Sequence, residues 1–245
     1  MYKNDIYTVI FNERIADKVY LMRLAGDTQY ITNPGTFINI KIDGLFLRRP
    51  ISVCDCSDGV VTIIYKVVGK GTEIMSTMQA GTKLDVLTGL GNGFNTKKCR
   101  GENALVIGGG VGVPPMYMTA KKLIKEGKRV TAILGFASKT DVFFVKEFEA
   151  IGCKVIVTTN DGSYGLKGFV TDAMKAFTYD YTFTCGPEPM LKAVYDTSVT
   201  EGQFSFEERM GCGFGACMGC TCKTKYGNKR ICKEGPVLTK EEIIW

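Results

Sequence analysis

Histidine is absent from all 245 residues, and that absence removes several chemistries together. Without an imidazole the chain cannot assemble a Ser-His-Asp or Cys-His nucleophile, a mixed cysteine–histidine zinc site, a Rieske cluster or a histidine-ligated haem. Any metal must be held by sulfur or oxygen. Tryptophan occurs once, as Trp245. Long apolar runs are missing too: the longest uncharged stretch, Asn103 to Ala120, is broken by Gly and Pro too often to span a bilayer. The N-terminal MYKNDIYTVIFNERIADK interrupts its apolar residues with charges, so neither a signal-peptide core nor a membrane span is expected there. No internal repeat or low-complexity segment is present. What remains, 45% hydrophobic and 23% charged, is the balance of a folded protein, expected in the cytoplasm and without membrane contact.

Cysteine, by contrast, is abundant, with ten residues. In a cytoplasmic protein clustered thiols point to metal or redox chemistry rather than disulfides. The stretch ERMGCGFGACMGCTCK, residues 208 to 223, holds four of them, and Cys232 follows. Cys212, Cys217, Cys220 and Cys232 read C-x4-C-x2-C-x11-C, the plant-type ferredoxin arrangement for a [2Fe–2S] cluster. An all-cysteine zinc site would favour two C-x2-C knuckles, and only one is present. Gly211, Gly213, Gly215 and Gly219 let the backbone bring N–H groups close to sulfur. Cys222 is the spare thiol, read as a small buried side chain rather than a ligand.

Upstream, the apolar run NALVI (103–107) feeds GGGVGVPPM (108–116), after which YMTAKKLIKEGKR reads as an amphipathic helix ending at Gly127. Strand, glycine loop and helix together suit a dinucleotide pyrophosphate, although Pro114 and Pro115 stand where the third glycine of G-x-G-x-x-G would fall. VTAILGF (130–136), KVIVTTN (154–160) and YTFTCG (181–186) are further strands, alternating with helical patterns at 141–151, 168–177 and 188–198. The expectation is a doubly wound α/β domain. Cys185 and Gly186 close its last strand, where open α/β sheets place ligands. Cys185 is read either as a buried structural thiol or as a small side chain that, with Gly186, leaves room for a flat ring.

The first hundred residues have a different texture. TVIFNERIADKVYLMRL, GTFINIKI, PISVCDC and GVVTIIYKVVG are short alternating strands with Asp-Gly turns at 43–44 and 58–59, which suggests a small antiparallel barrel. RRPISV (48–53) opens one strand and GKGT (69–72) opens an expected helix, TEIMSTMQ. Arg48 and Arg49 are either solvated edge charges or, for Arg49, a phosphate fork. Thr72 is either a plain N-cap or part of a pyrophosphate cradle with Gly71.

The R-P-I-S segment, the G-x-G-T helix start, GGGVGVPPM, CGPEPML and the terminal cysteine loop together resemble the electron-transfer subunits of type B dihydroorotate dehydrogenases, within the ferredoxin–NADP reductase superfamily. The resemblance spans essentially the whole chain. It implies an FAD-binding barrel (1–99), an NAD-binding α/β domain (100–204) and a small [2Fe–2S] domain (205–245). FAD would be held by Arg49, Pro50, Ile51, Ser52, Ile64, Tyr65, Lys66, Gly71 and Thr72. NAD(H) would lie on Gly108, Gly109, Gly110, Gly112 and Pro114 and near Cys185 and Gly186. Ile51 stands where the wider superfamily carries a tyrosine against the flavin, as in the narrower subunit family. The implied partner is an FMN-containing catalytic subunit, in a heterotetramer with two copies of each chain. The alternatives are a flavin and iron–sulfur subunit of a sulfite reductase, a hydrogenase or a ferredoxin:NADP oxidoreductase, or an all-cysteine zinc adaptor.

The net charge of +6 does not require nucleic acid. A cluster on four thiolates and a bound pyrophosphate each bring about −2. No nucleic-acid-binding motif is present. After VTAILGF the chain offers Ser138, Lys139 and Asp141 and no arginine for a 2′-phosphate, which favours NAD over NADP. The apolar tail, Ile243 to Trp245, is expected to be covered, either by folding back on its own domain or, together with the surface around the cluster, by the partner.

Overall fold

The computed structural model describes residues 2–245. Its first part is built from β1 (Lys3–Ala16), β2 (Val19–Ala25), β3 (Phe37–Ile40), β4 (Arg49–Ser57), β5 (Val60–Lys66), the short helix α1 (Lys70–Ser76) and β6 (Lys83–Leu90). These six strands close into an antiparallel barrel in the order β1-β2-β5-β4-β3-β6, which leaves no free edge. The Asp58-Gly59 pair takes positive φ at both residues, the backbone that a tight hairpin between β4 and β5 demands. Inward-pointing Tyr7, Val9, Met22, Ile38, Ile40, Val61 and Ile63 fill the barrel.

The second part runs β7 (Asn103–Gly109), α2 (Val113–Lys125), β8 (Arg129–Phe136), α3 (Val145–Ala150), β9 (Lys154–Thr159), β10 (Leu166–Lys167), α4 (Val170–Met174), β11 (Tyr181–Cys185), α5 (Glu188–Thr197) and β12 (Gly202–Ser205). The chain ends in β13 (Thr221–Thr224), β14 (Gly227–Arg230) and β15 (Val237–Thr239). One seven-stranded sheet has the order β10-β9-β8-β7-β11-β12-β15. Strands β7 to β12 pair in parallel, and β15 runs antiparallel to β12. The prolines that break the glycine fingerprint have a local reason: Pro114 and Pro115 occupy the first turn of α2, where the missing N–H is lost at no cost and φ is already helical.

Several expectations shift in detail. α1 begins at Lys70, two residues before the expected TEIMSTMQ, so Thr72 sits inside the first turn; its hydroxyl accepts from the Val68 and Gly69 amides at 3.0 and 3.3 Å. The helix expected over 141–151 is only α3, because Phe144 stands in the left-handed region at φ 65°. Strands β12 and β15, three or four residues each, were too short to be read from periodicity.

The last forty residues form no core of their own. Cys220, Ile231, Cys232 and Ile243 pack with Leu105, Ile107 and Phe204 of the sheet and with Phe37 and Leu90 of the barrel. Asn92, just past β6, fastens this segment down. Its backbone N–H donates to Gly235 O, its amide nitrogen donates to Glu234 O and Val237 O, and its amide oxygen accepts from Val237 N. No helix among the described residues is long and apolar enough to cross a membrane.

The tail docks in part on its own chain, one of the two coverings expected of it, while Ile244 and Trp245 stay exposed. Ile243 is buried and bridges Thr224. The Trp245 ring lies 5.6 Å from Phe206 and 5.9 Å from Tyr195, with the Lys192 ammonium over it. Removing Ile243 to Trp245 exposes about 2–3 kcal/mol worth of apolar packing. The truncated chain should melt roughly 5–10 °C lower, and an unchanged melting curve would show that the tail rests on the sheet without stabilising it.

Candidate functional site

Between barrel and sheet lies an open cavity of about 440 Å³. Nine of the residues expected to hold FAD line it: Arg49, Pro50, Ile51 and Ser52 from β4, Ile64, Tyr65 and Lys66 from β5, and Gly71 and Thr72 from α1. Hydrogen-bonded pairing puts Ser52 opposite Phe37, which lines the cavity too. Arg48 and Arg49 separate in role. Arg48 is spent structurally, in a 2.9 Å ion pair with Asp85 and a bond to Asp85 O at 3.0 Å. Arg49 lies flat on the backbone of α1: a Cβ on Gly71 would stand 2.0 Å from Arg49 Nε. Only glycine permits that approach, which places the guanidinium fork and the buried Gly71–Thr72 backbone at one wall.

The opposite wall comes from the sheet. Cys185 ends β11 and lines the cavity with Val111 of the glycine turn. Strand order reverses between β7 and β11, since β8 and β9 lie on one side of β7 and β11 on the other. Gly108 and Cys185 are paired across that boundary, and a crevice at the carboxyl ends of such a pair is where open α/β sheets take dinucleotides. Gly112 makes the approach possible, because a Cβ there would fall 2.2 Å from Cys185 O. Gly109, Gly110 and Pro114 belong to the same turn and first helical residues. Gly186 faces away, into a second cavity of about 460 Å³ bounded by Phe206 to Glu208 and the docked tail.

Ser205, Phe206, Glu207, Glu208 and Met210 also line the first cavity and were not anticipated from sequence. No periodic signal was available for them, since β12, the strand before them, is only four residues long. Glu207 is exposed at the rim of the cavity, and desolvation by the neighbouring chain raises its carboxyl above the ordinary carboxylate value. Burial, and then the nearby Glu207 charge, push the Cys185 thiol up to about 12. Cys185 is therefore a neutral, small wall residue. Ser138, Lys139 and Asp141 stand beyond β8; Asp141 accepts from Ser138 Oγ at 3.0 Å and lies 3.7 Å from Lys66 Nζ.

The four spaced cysteines come together as two pairs. Cys212 Sγ accepts from the amides of Ala216 and Cys217 at 3.2 and 3.4 Å, and Cys217 Sγ from the Cys212 amide at 3.4 Å. Cys220 Sγ accepts from the Cys232 amide at 3.4 Å. Burial works against ionising Cys212, but the amides of Cys217, Phe214 and Ala216 and the Cys217 thiol outweigh it and pull the thiol down to about 6. In the second pair burial and then Cys220 push Cys232 up to about 12. Among the described residues no three metal-ligating side chains converge on a single point. One zinc ion would need all four sulfurs around one centre, whereas two pairs, each with its own donors, suit a diiron cluster with one pair per iron. Arg230 braces the loop, donating to Gly215 O at 2.6 Å while paired with Glu234, whose carboxyl it holds down at about 2. Cys222 lies in β13, outside both pairs and half-buried.

The chain is similar to known proteins over nearly its whole length. Residues 207–244 match the family model described as the iron-sulfur cluster binding domain of dihydroorotate dehydrogenase B, and residues 106–196 match the oxidoreductase NAD-binding domain. The chain is 41% identical to a Shouchella clausii protein over 97% of this chain and 96% of that one, and 42% identical to a Fusobacterium nucleatum protein over 96% of each. Both are named dihydroorotate dehydrogenase B (NAD(+)), electron transfer subunit. A solved structure of NADH-dependent reduced ferredoxin-NADP oxidoreductase, described for flavin-based electron bifurcation, is 30% identical and superposes with a TM-score of 0.89 over 98% of this chain and 90% of its own. A ferredoxin NADP+ reductase from Neisseria gonorrhoeae, at 16% identity and a TM-score of 0.70 over 80% of this chain and 90% of its own, shares the fold.

The pairing of thiols predicts the outcome of serine replacement. Cys222→Ser should keep the iron–sulfur absorption and electron paramagnetic resonance (EPR) signal, while serine at Cys212, Cys217, Cys220 or Cys232 should bleach or strongly perturb them. Loss of the cluster in Cys222→Ser alone would put the third ligand at position 222.

Proposed function

The chain belongs to the family of dihydroorotate dehydrogenase B electron transfer subunits, and on that premise we propose that it carries electrons between NAD(H), FAD and a [2Fe–2S] cluster, to or from an FMN-containing catalytic subunit in pyrimidine biosynthesis. One observation carries the reading. The segment from Ser205 to Met210 forms a wall of the barrel–sheet cavity and then runs, after Gly211, into Cys212. A single stretch of chain therefore adjoins the flavin cleft, the carboxyl edge of the dinucleotide sheet and the first cluster ligand.

A flavin in the cleft supplies the conversion between hydride transfer, which moves two electrons, and cluster chemistry, which moves one. The chain's own residues do the positioning. Arg49 and the Gly71–Thr72 backbone bind phosphate oxygens, and Ile51, Tyr65 and Phe206 give the ring apolar walls. Tyr65 is fixed by donating to Asn12 Oδ1 at 3.0 Å. The turn from Gly108 to Gly112, with Pro114 behind it, takes the pyrophosphate of NAD(H). The small, neutral Cys185 leaves the nicotinamide face open, without Gly186, which lines the second cavity. Amides of 212, 216, 217 and 232 hold the thiolates, with Cys212, Cys217, Cys220 and Cys232 as ligands. The chain divides functionally at 1–99, 100–204 and 205–245. Ten free cysteines suit a reducing cytoplasm, and assembly with the catalytic chain is two copies of each.

The dinucleotide is NAD(H): the loops beyond β8 and β9 offer Asp141 and Asp161 and no arginine. Anaerobic mixing should bleach the flavin with NADH before NADPH, followed by the cluster. Faster bleaching with NADPH would overturn the assignment, and reduction of the flavin without the cluster would overturn the relay.

Arg49 and Gly71 offer a direct handle on the cleft. Gly71→Val places a side chain where the guanidinium lies and should weaken FAD retention at least about tenfold, or about 1.4 kcal/mol, with the iron–sulfur signal intact. Wild-type flavin content in Gly71→Val would remove Arg49 from the site.

A further inference from the structure

Asn39 sits in the middle of β3 and is 1% exposed. Alternation along the strand sends Ile38 and Ile40 into the barrel core and places Asn39 on the same outer face as Phe37, which lines the flavin cleft. Its strand partner is Pro50, another cleft residue. From this face the Asn39 amide nitrogen donates to Cys212 O at 3.3 Å. The contact is tight: a Cβ on the adjacent Gly213, where φ is +78°, would stand 2.4 Å from Asn39 Nδ2. On the backbone side Arg48 Nη1 donates to Asn39 O at 3.3 Å. One residue thus touches the first ligand of the cluster loop while lying between two residues of the flavin wall.

A second observation separates this from packing. Asn39 Oδ1 is buried and has no hydrogen-bond partner. Flipping the amide would set that oxygen against the Cys212 carbonyl and forfeit the one bond present. Leucine fills nearly the same space with no orphaned oxygen, and a buried polar atom without a partner is unfavourable. A side chain needed only as filler would not be an amide here.

We propose that Asn39 is a positioning residue for the cluster, holding the Cys212–Gly213 backbone against the strand that lines the flavin cleft and so fixing the two cofactor sites relative to each other. The inference rests on the functional reading above. Asn39→Asp is isosteric and cannot donate to Cys212 O when ionised; Asn39→Leu keeps the volume and removes polarity. Both variants, purified with FAD and cluster in place, should lose iron to a chelator about fivefold faster, the shift in loop opening that one lost hydrogen bond corresponds to. Both should also alter the EPR spectrum of the reduced cluster, while NADH reduces the flavin at the wild-type rate. Gly213→Ala, which presses on the same contact from the loop, should reproduce the signature and serves where Asn39→Leu does not fold. Wild-type iron release and EPR spectra in Asn39→Asp and Gly213→Ala would overturn the inference. A wild-type protein that never acquires an iron–sulfur spectrum would instead overturn the functional reading, and this inference with it.

Discussion

The knot at Asn92 is the constraint on which the arrangement depends. Four hydrogen bonds from one residue fix the chain from Glu234 to Val237 at the exit of the barrel. That segment then enters the sheet as β15, beside β12. Barrel, sheet and cysteine loop are thereby locked around one point, and the loop needs no hydrophobic core of its own. Its buried residues borrow the outer face of the barrel and the edge of the sheet. A forty-residue segment with so little regular structure would otherwise be too small to hold its thiols in place.

The same packing explains why the cleft has two unlike walls. The barrel contributes a fork, Arg49, laid on a glycine backbone. The sheet contributes the carboxyl ends of β7 and β11, brought within contact because Gly112 has no side chain to meet Cys185 O. Neither wall makes a site alone: one offers a guanidinium fork suited to phosphate, and the other a small, uncharged opening suited to a ring. The segment that follows β12 closes the gap and carries two glutamates into it.

Much of this was legible in the sequence where the chemistry is local. The C-x4-C-x2-C spacing, the strand–glycine–helix run and the R-P-I-S strand each state their geometry within about a dozen residues, and the structure gathers nine of the proposed flavin residues around one cavity. The prolines of GGGVGVPPM looked like a defect in a glycine fingerprint and are the first turn of α2. What was not legible depends on pairing between distant segments. Asn39 is 173 residues from Cys212, and Glu207 lines one cavity with Arg49 and Lys66, more than a hundred residues earlier. Strand β15 is too short for its period to register and exists because β12 offers it an edge. The tail likewise finds Tyr195 and Phe206 only in three dimensions.

The two thiol pairs do not share one environment. Cys217 is exposed and Cys212 half-buried, with three amide contacts between them, whereas Cys220 and Cys232 are each 2% exposed with one. An added negative charge is better solvated beside water and aligned amide dipoles than in a dry interior. A cluster bound there would sit in a polarised loop: its outer half would favour an added electron and its inner half would shield it. Dielectric asymmetry alone would set that direction, and the rim at Cys217 is the part of the loop that dissolved oxidants would meet first.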